Sequence, residues 1–166
     1  MKRLAGALLM LAGVLLQVTW ASRLEIAGAF PNLALLAVLA LTWTAGVRAG
    51  LVWACVGGLM LDLTAPGPLG PHALALLAGA YVTGFLARNL DRESPLHPAV
   101  AAAVSTVLYS LILVAADGVL GLPVPPVRLA FELTIAASAY NSLLMPLALL
   151  PLRKLQALTP TRPQTQ

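Results

Sequence analysis

The stretch Gly57-Gly-Leu-Met-Leu-Asp62-Leu-Thr-Ala-Pro-Gly-Pro-Leu-Gly-Pro-His72 ends one apolar run, turns, and begins the next. The prolines and glycines of residues 64–71 cannot continue a helix, so the stretch predicts two helices joined by a tight turn. The first of them, over residues 49–63, is short and rich in glycine. Two alternatives follow: it packs closely against a neighbour, or it does not cross a membrane completely.

The composition of the whole chain indicates a membrane protein. Of its 166 residues, 60% are hydrophobic and only 10% are charged, whereas about a quarter of the residues of a soluble domain are charged. A membrane-spanning helix needs roughly 20 apolar residues. Runs that approach this length occupy residues 4–21, 31–47, 49–63, 72–87, 99–116 and 129–152.

These runs predict an all-α, polytopic membrane protein whose six transmembrane helices form one compact bundle over residues 1–153. A disordered cytoplasmic tail is expected over residues 154–166. Pro146 and Pro151 are expected to kink or end the last turns of the sixth helix. The first run, preceded by Lys2 and Arg3, also fits a signal peptide, but the rest of the chain is equally apolar and favours a retained helix.

The basic residues predict which ends of the helices face the cytoplasm, because cytoplasmic loops carry an excess of Lys and Arg. With the N-terminus inside, only Arg23 and Arg128 fall on the outer side. The C-terminus is then also inside, and Trp20 and Trp43 fall at opposite membrane interfaces. The basic residues on the cytoplasmic side are Lys2, Arg3, Arg48, Arg88, Arg92, Arg153, Lys154 and Arg162.

The sequence argues against several classes of function. The basic residues are scattered and do not form the surface cluster that nucleic-acid binding needs. Cys55, His72 and His97 are too few for a structural zinc site, which takes four ligands. No protease zinc motif, phosphate-binding loop or nucleophile elbow is present. We therefore predict no catalytic residue, no metal site, no cofactor and no nucleic-acid partner.

Asp62 is the acidic residue of greatest interest. It ends a helix, where the negative end of the helix dipole disfavours a carboxylate. Three readings remain open: a carboxylate that accepts hydrogen bonds from the free N–H groups near Leu69, Gly70 and His72, a solvated loop aspartate, or a chemical role.

Polar residues of the sixth run form two further candidates. Arg128 and Glu132 are spaced i,i+4 and share a helix face, so they are expected to form an interfacial pair of little energetic weight. Asn141 lies near the middle of the run, where a primary amide needs a partner. Interhelical packing and a ligand contact are both open for it, with Gln17 as a candidate partner.

Several short motifs, in order along nearly the whole chain, resemble the MreD family of rod shape-determining proteins. They are Pro31-Asn32-Leu33, Gly57–Asp62, Pro68-Leu69-Gly70-Pro-His72-Ala-Leu74, the basic loop Asn89–Pro95, and Tyr140-Asn141-Ser-Leu-Leu144. His72 departs from the aromatic residue that is commoner there.

The resemblance implies a non-enzymatic protein of the bacterial inner membrane. Its implied partners are an MreC-like protein, the MreB cytoskeleton, and the glycosyltransferase and transpeptidase of lateral wall synthesis. The implied fold is similar to the substrate-binding subunits of energy-coupling-factor transporters. Two functions remain open: a scaffold for cell elongation, or a vitamin-like small-molecule binding subunit of a transporter. The second rests on the six helices and on polar residues that could line an outer pocket: Asp62, His72, Asn141, Arg128 and Glu132. A contact site for a lipid or wall precursor is a third possibility, and the sequence leaves the oligomeric state open.

Overall fold

All the regular elements that the structure describes are helices. The computed structural model describes residues 2–20, 28, 30–91, 94 and 96–158, with side chains from residue 6 to residue 154 of these ranges. The helices are α1 (Lys2–Thr19), α2 (Leu33–Ala45), α3 (Val47–Thr64), α4 (Pro71–Asn89), α5 (Leu96–Val119) and α6 (Val127–Leu158). The prediction of an all-α protein with six helices is confirmed for this part of the chain.

Within the residues that the structure describes, three helices are long and apolar enough to cross a membrane. These spans are Val47–Thr64 in α3, Leu96–Val119 in α5 and Val127–Lys154 in α6. Shorter apolar helices occupy Gly6–Thr19 and Leu33–Ala45. The chain thus has the helices of a membrane protein, and the run around Gly57 is long enough to span.

Helix α2 forms the centre of the bundle. All its residues from Ala34 to Trp43 are buried, and it contacts each of the other five helices. A helix that is apolar all round is expected in such a position. Trp43 is only 3% exposed, so it faces the core of the bundle and not lipid, whereas its depth near the inner interface stays a prediction. Trp20 is exposed.

Glycines on α3 and α4 allow their neighbours to approach closely. A Cβ on Gly58 would lie 2.7 Å from the backbone nitrogen of Ala73 in α4, and one on Gly57 would lie 3.0 Å from the sulfur of Met10 in α1. A Cβ on Gly84 of α4 would lie 2.6 Å from Val47. Of the two alternatives for the glycine-rich run, the structure shows close packing.

Helix α6 is longer than predicted. It was expected to end at Leu152, but it continues through Pro146 and Pro151 to Leu158. Each proline removes one backbone hydrogen bond, but the residues after Pro151 are Leu, Arg, Lys, Gln and Ala, which favour helix strongly. Residues 154–158 are therefore helical rather than a disordered tail, and residues 159–166 lie outside the described part of the chain, as do Arg23 and Arg92.

Candidate functional site

The carboxylate of Asp62 closes the turn between α3 and α4. Its Oδ2 accepts hydrogen bonds from the backbone N–H groups of Gly70 (2.9 Å) and Ala73 (3.2 Å), and its Oδ1 from that of His72 (2.9 Å). These donors open α4 and have no acceptor within their own helix. The predicted hydrogen bonds to the start of the fourth helix are confirmed, and we call this group the clasp.

The local sequence explains how Asp62 reaches these donors. Gly58, one turn earlier on α3, lets the two helices touch at Ala73. Gly70 has a backbone φ of 125°, in the region that favours glycine, and this turns its N–H toward the carboxylate. The positive end of the α4 dipole then stabilises a charge that the end of α3 alone would disfavour.

His72 connects the clasp to α5. Its Nδ1 lies 2.9 Å from Asp62 Oδ1. An ionised carboxylate can only accept, so Nδ1 is the donor and Nε2 remains for other partners. The imidazole ring also packs edge-on against Tyr109, with ring centroids 6.3 Å apart.

Side chains from α6 and α1 bind the start of α2. Asn141, which is fully buried, accepts the backbone N–H of Asn32 at 3.0 Å. The amide of Asn141 donates to the Thr106 hydroxyl at 3.0 Å. Asn32 itself caps α2 by accepting the N–H of Leu35 at 2.9 Å. Asn141 thus ties α2, α5 and α6 together.

Gln17 has a different hydrogen-bond partner from the one that was predicted. Its Oε1 accepts the backbone N–H of Leu33 at 2.6 Å, and no bond joins it to Asn141 within the described residues. The two amides instead bind neighbouring N–H groups at the start of α2. With Asn32 and Thr106 they form what we call the α2 cluster.

The clasp and the α2 cluster meet at one cavity of about 350 Å³. Helices α5 and α6 supply most of its lining residues, and within the described part of the chain no Lys, Arg, Asp or Glu side chain lines it. An apolar pocket with a few convergent polar groups is the usual form of a binding site. Its lining residues are Gln17, Gly28, Phe30, Asn32, Leu61, His72, Thr106, Tyr109, Ser110, Leu113, Val114, Pro125, Ala130, Leu133, Thr134, Ala137 and Asn141.

The structure brings only some of the predicted residues to this cavity. Asn32, His72 and Asn141 line it. Asp62 lies behind His72, Gly70 supplies a donor to the clasp, and Pro31 is buried beside Asn32. Leu69 is exposed in the turn. Arg128 and Glu132 form the predicted pair at 2.8 Å on the surface and do not line the cavity.

Thr106 and Tyr109 are site residues that the sequence analysis missed. Both are buried on α5 and link the two polar groups of the cavity. A signal was present: Ser105, Thr106, Tyr109 and Ser110 are concentrated in a helix that is otherwise apolar.

The chemistry available to the cavity is that of binding. Its polar atoms are amides, hydroxyls and one imidazole, which orient a ligand through hydrogen bonds. Within the described residues, no group of three or more His, Cys, Asp or Glu could hold a metal ion.

Comparison with known proteins identifies a family. The sequence profile of the family described as rod shape-determining protein MreD matches residues 1–153. No curated protein and no solved structure matches the chain.

Proposed function

The chain belongs to the MreD family of rod shape-determining proteins, and from that premise we propose that it is a non-enzymatic scaffold of the bacterial cell-elongation machinery. It binds an MreC-like protein in the inner membrane and links it to lateral peptidoglycan synthesis. The match over residues 1–153 is the observation that carries this proposal. Contacts with the MreB cytoskeleton, the glycosyltransferase and the transpeptidase follow through that partner.

The proposed topology has six membrane spans with both termini in the cytoplasm. It is supported by Arg48 at the start of α3, Arg88 at the end of α4, and Arg153 with Lys154 near the end of α6. In an alternating bundle these three helix ends lie on the same side, where basic residues orient the chain. The proposed similarity to the substrate-binding subunits of energy-coupling-factor transporters is supported by the number of helices.

The cavity is the proposed docking place for the partner. In the alternating topology it lies at the outer end, where α2, α4 and α6 begin. Among the described residues, no Lys, Arg, Asp or Glu side chain lines it. Binding energy at protein interfaces is concentrated where an apolar or aromatic side chain fills a desolvated pocket. A membrane-proximal apolar residue of the partner would be such an anchor.

Depletion and co-purification test the scaffold function. Depletion of the protein should round a rod-shaped cell, and the MreC-like partner should co-purify from detergent extracts. Unchanged cell shape together with no co-purification would refute the scaffold.

A matched pair of variants on α6 tests the cavity as the docking place. Ala137→Trp places an indole in the cavity that Ala137 lines, and should abolish co-purification. Ala139→Trp makes the same change at an exposed position and should retain it. Equal partner recovery from both variants would exclude the cavity while leaving the scaffold function standing.

A second function, the small-molecule binding subunit of a transporter, is favoured by the volume of the cavity. At about 350 Å³ it lies within the range of about 300–1,000 Å³ of small-molecule sites. A vitamin-like compound should then remain bound through purification. Mass spectrometry of the denatured protein that finds no such compound would count against this function.

A further inference from the structure

A second pocket, of about 260 Å³, lies between the start of α3 and the end of α4, away from the cavity described above. Its walls are Val47, Tyr81, Gly84, Phe85, Arg88 and Asn89. We call it the Arg88 pocket. We propose that it binds the phosphodiester headgroup of an anionic phospholipid, with Arg88 as the counter-charge and the Tyr81 and Phe85 rings against the upper part of the acyl chains.

Gly84 gives the Arg88 pocket its floor. A Cβ at this position would lie 2.6 Å from Val47 Cγ2, so only glycine lets α4 close on the first residue of α3. The side chain of Asn89 folds back and donates to the carbonyl of Phe85 at 2.8 Å. This wall is therefore held by bonds of α4 itself and does not depend on a ligand.

Arg88 supplies the positive charge of the pocket. It lies in the last turn of α4, and its guanidinium makes no ion pair or hydrogen bond within the part of the chain that the structure describes. Asp91, the described acidic residue nearest to it in the sequence, does not line the pocket. Arginine presents paired N–H donors that match the oxygens of a phosphate.

The start of α3 adds donors beside this charge. Gly46 precedes Val47 and provides no side-chain cap, and no acidic residue occupies the first turn. The first N–H groups of a helix lack acceptors within it, and with the helix dipole they favour an anion. Here they reinforce a pocket that already contains the Arg88 guanidinium, which has no ion-pair partner among the described residues.

The rim of the pocket distinguishes a lipid from a free anion. Tyr81 and Phe85, one turn apart on α4, are 64% and 61% exposed. Aromatic side chains beside a cationic group are typical of the level where headgroups meet acyl chains. The volume is below that of sites for drug-sized ligands, about 300–1,000 Å³, and suits a headgroup whose tails remain in the bilayer.

Native mass spectrometry in detergent tests this assignment on the full chain. Phosphatidylglycerol is added to the protein, with phosphatidylcholine as the zwitterionic comparison. The wild type should retain one phosphatidylglycerol in preference to phosphatidylcholine. Arg88→Gln should weaken that binding about tenfold, the effect of losing one charge-assisted contact. Arg88→Lys, which keeps the charge, should bind more tightly than Arg88→Gln.

Arg153→Gln is the matched control, because Arg153 is an exposed arginine of α6 outside the pocket. Equal loss of phosphatidylglycerol from Arg88→Gln and Arg153→Gln, or no loss from Arg88→Gln, would overturn the site. A melting temperature raised by inorganic phosphate alone, with no further rise on adding phosphatidylglycerol, would assign the pocket to free phosphate and overturn the lipid. In the proposed topology the Arg88 pocket lies at the cytoplasmic end of the bundle, so the lipid would come from the inner leaflet. That assignment of the leaflet rests on the proposed topology, whereas binding in detergent does not, so the two can fail separately.

Discussion

The starts of α2 and α4, at one end of the bundle, differ from the start of α3 at the other end in how their N–H groups are bound. At one end, α2 and α4 begin with N–H groups bound by side chains of other helices: Asn141 and Gln17 for α2, and Asp62 for α4. At the other end, α3 begins at Gly46 with no side-chain cap, beside exposed Arg88. The starts of α2 and α4 are closed by these hydrogen bonds, whereas the start of α3 leaves its donors available beside the charge of Arg88.

This difference separates the polar groups that stabilise the bundle from the polar groups that remain available to bind ligands. Buried polar groups must be paired, because an unpaired one costs free energy. The closed end satisfies this rule with Asp62 and Asn141, which are 3% and 0% exposed. We therefore expect substitutions there to change stability, and substitutions among exposed charges to leave it nearly unchanged.

Asp62→Ala should have the largest effect. It removes the acceptor of the Gly70, His72 and Ala73 N–H groups, and buried donors without acceptors should lower the free energy of unfolding by about 3 kcal/mol. The melting temperature in detergent measures the effect. Asp62→Asn keeps the size and one acceptor and should lose less. A melting temperature of Asp62→Ala equal to that of the wild type would show that the clasp carries no stability.

Gly58→Ala should be the next most severe change. The new Cβ would lie 2.7 Å from the Ala73 nitrogen, and backbone can yield only if α3 and α4 separate, at a cost of about 1–3 kcal/mol. Separation would also pull Asp62 away from its donors.

Gly57→Ala is the matched control for that substitution. Its Cβ would meet the end of the Met10 side chain, which is flexible and can move aside. The melting temperature should therefore fall more for Gly58→Ala than for Gly57→Ala. The reverse order would contradict the inference that contact between α3 and α4 positions the clasp.

Asn141→Ala should have an intermediate effect on the α2 cluster. The Asn32 N–H and the Thr106 hydroxyl each lose a partner, and interhelical hydrogen bonds in membrane proteins contribute about 0.6–2 kcal/mol. Ser142→Ala is the comparison, because the Ser142 hydroxyl bonds the Ser138 carbonyl of its own helix at 2.8 Å and ties no helices together. Equal melting temperatures of the two variants would show that the α2 cluster does not stabilise the bundle.

The clasp could be predicted from the sequence because it is local. Asp62 and its donors are at most 11 residues apart, on the two sides of the turn between α3 and α4. The free N–H groups of the following helix therefore had to lie close to it. The partners of Asn141 could not be predicted in this way. Its bond to Asn32 joins residues 109 positions apart, and which amide faces which helix start depends on how α6 packs against α2.

The end of α6 shows a different limit of sequence reasoning. Pro146 and Pro151 indicated that the helix stops, because each costs a hydrogen bond. The favourable residues beyond them keep it helical to Leu158. Trp43 shows a related limit, since its position near a helix end does not reveal that the central place of α2 buries it.

Arg128→Ala should have the smallest effect, because it removes an exposed polar contact and not a buried one. Its bond to Glu132 is short, at 2.8 Å, but the two side chains are 90% and 56% exposed. Exposed pairs gain little because water and salt screen them and because ordering two long side chains costs entropy. The change in melting temperature should be no larger for Arg128→Ala than for Glu132→Ala or for the variant that carries both substitutions. A fall as large as that of Asn141→Ala would mean that a partner or lipid surrounds this pair, and that burial in the isolated chain does not decide which polar contacts stabilise the bundle.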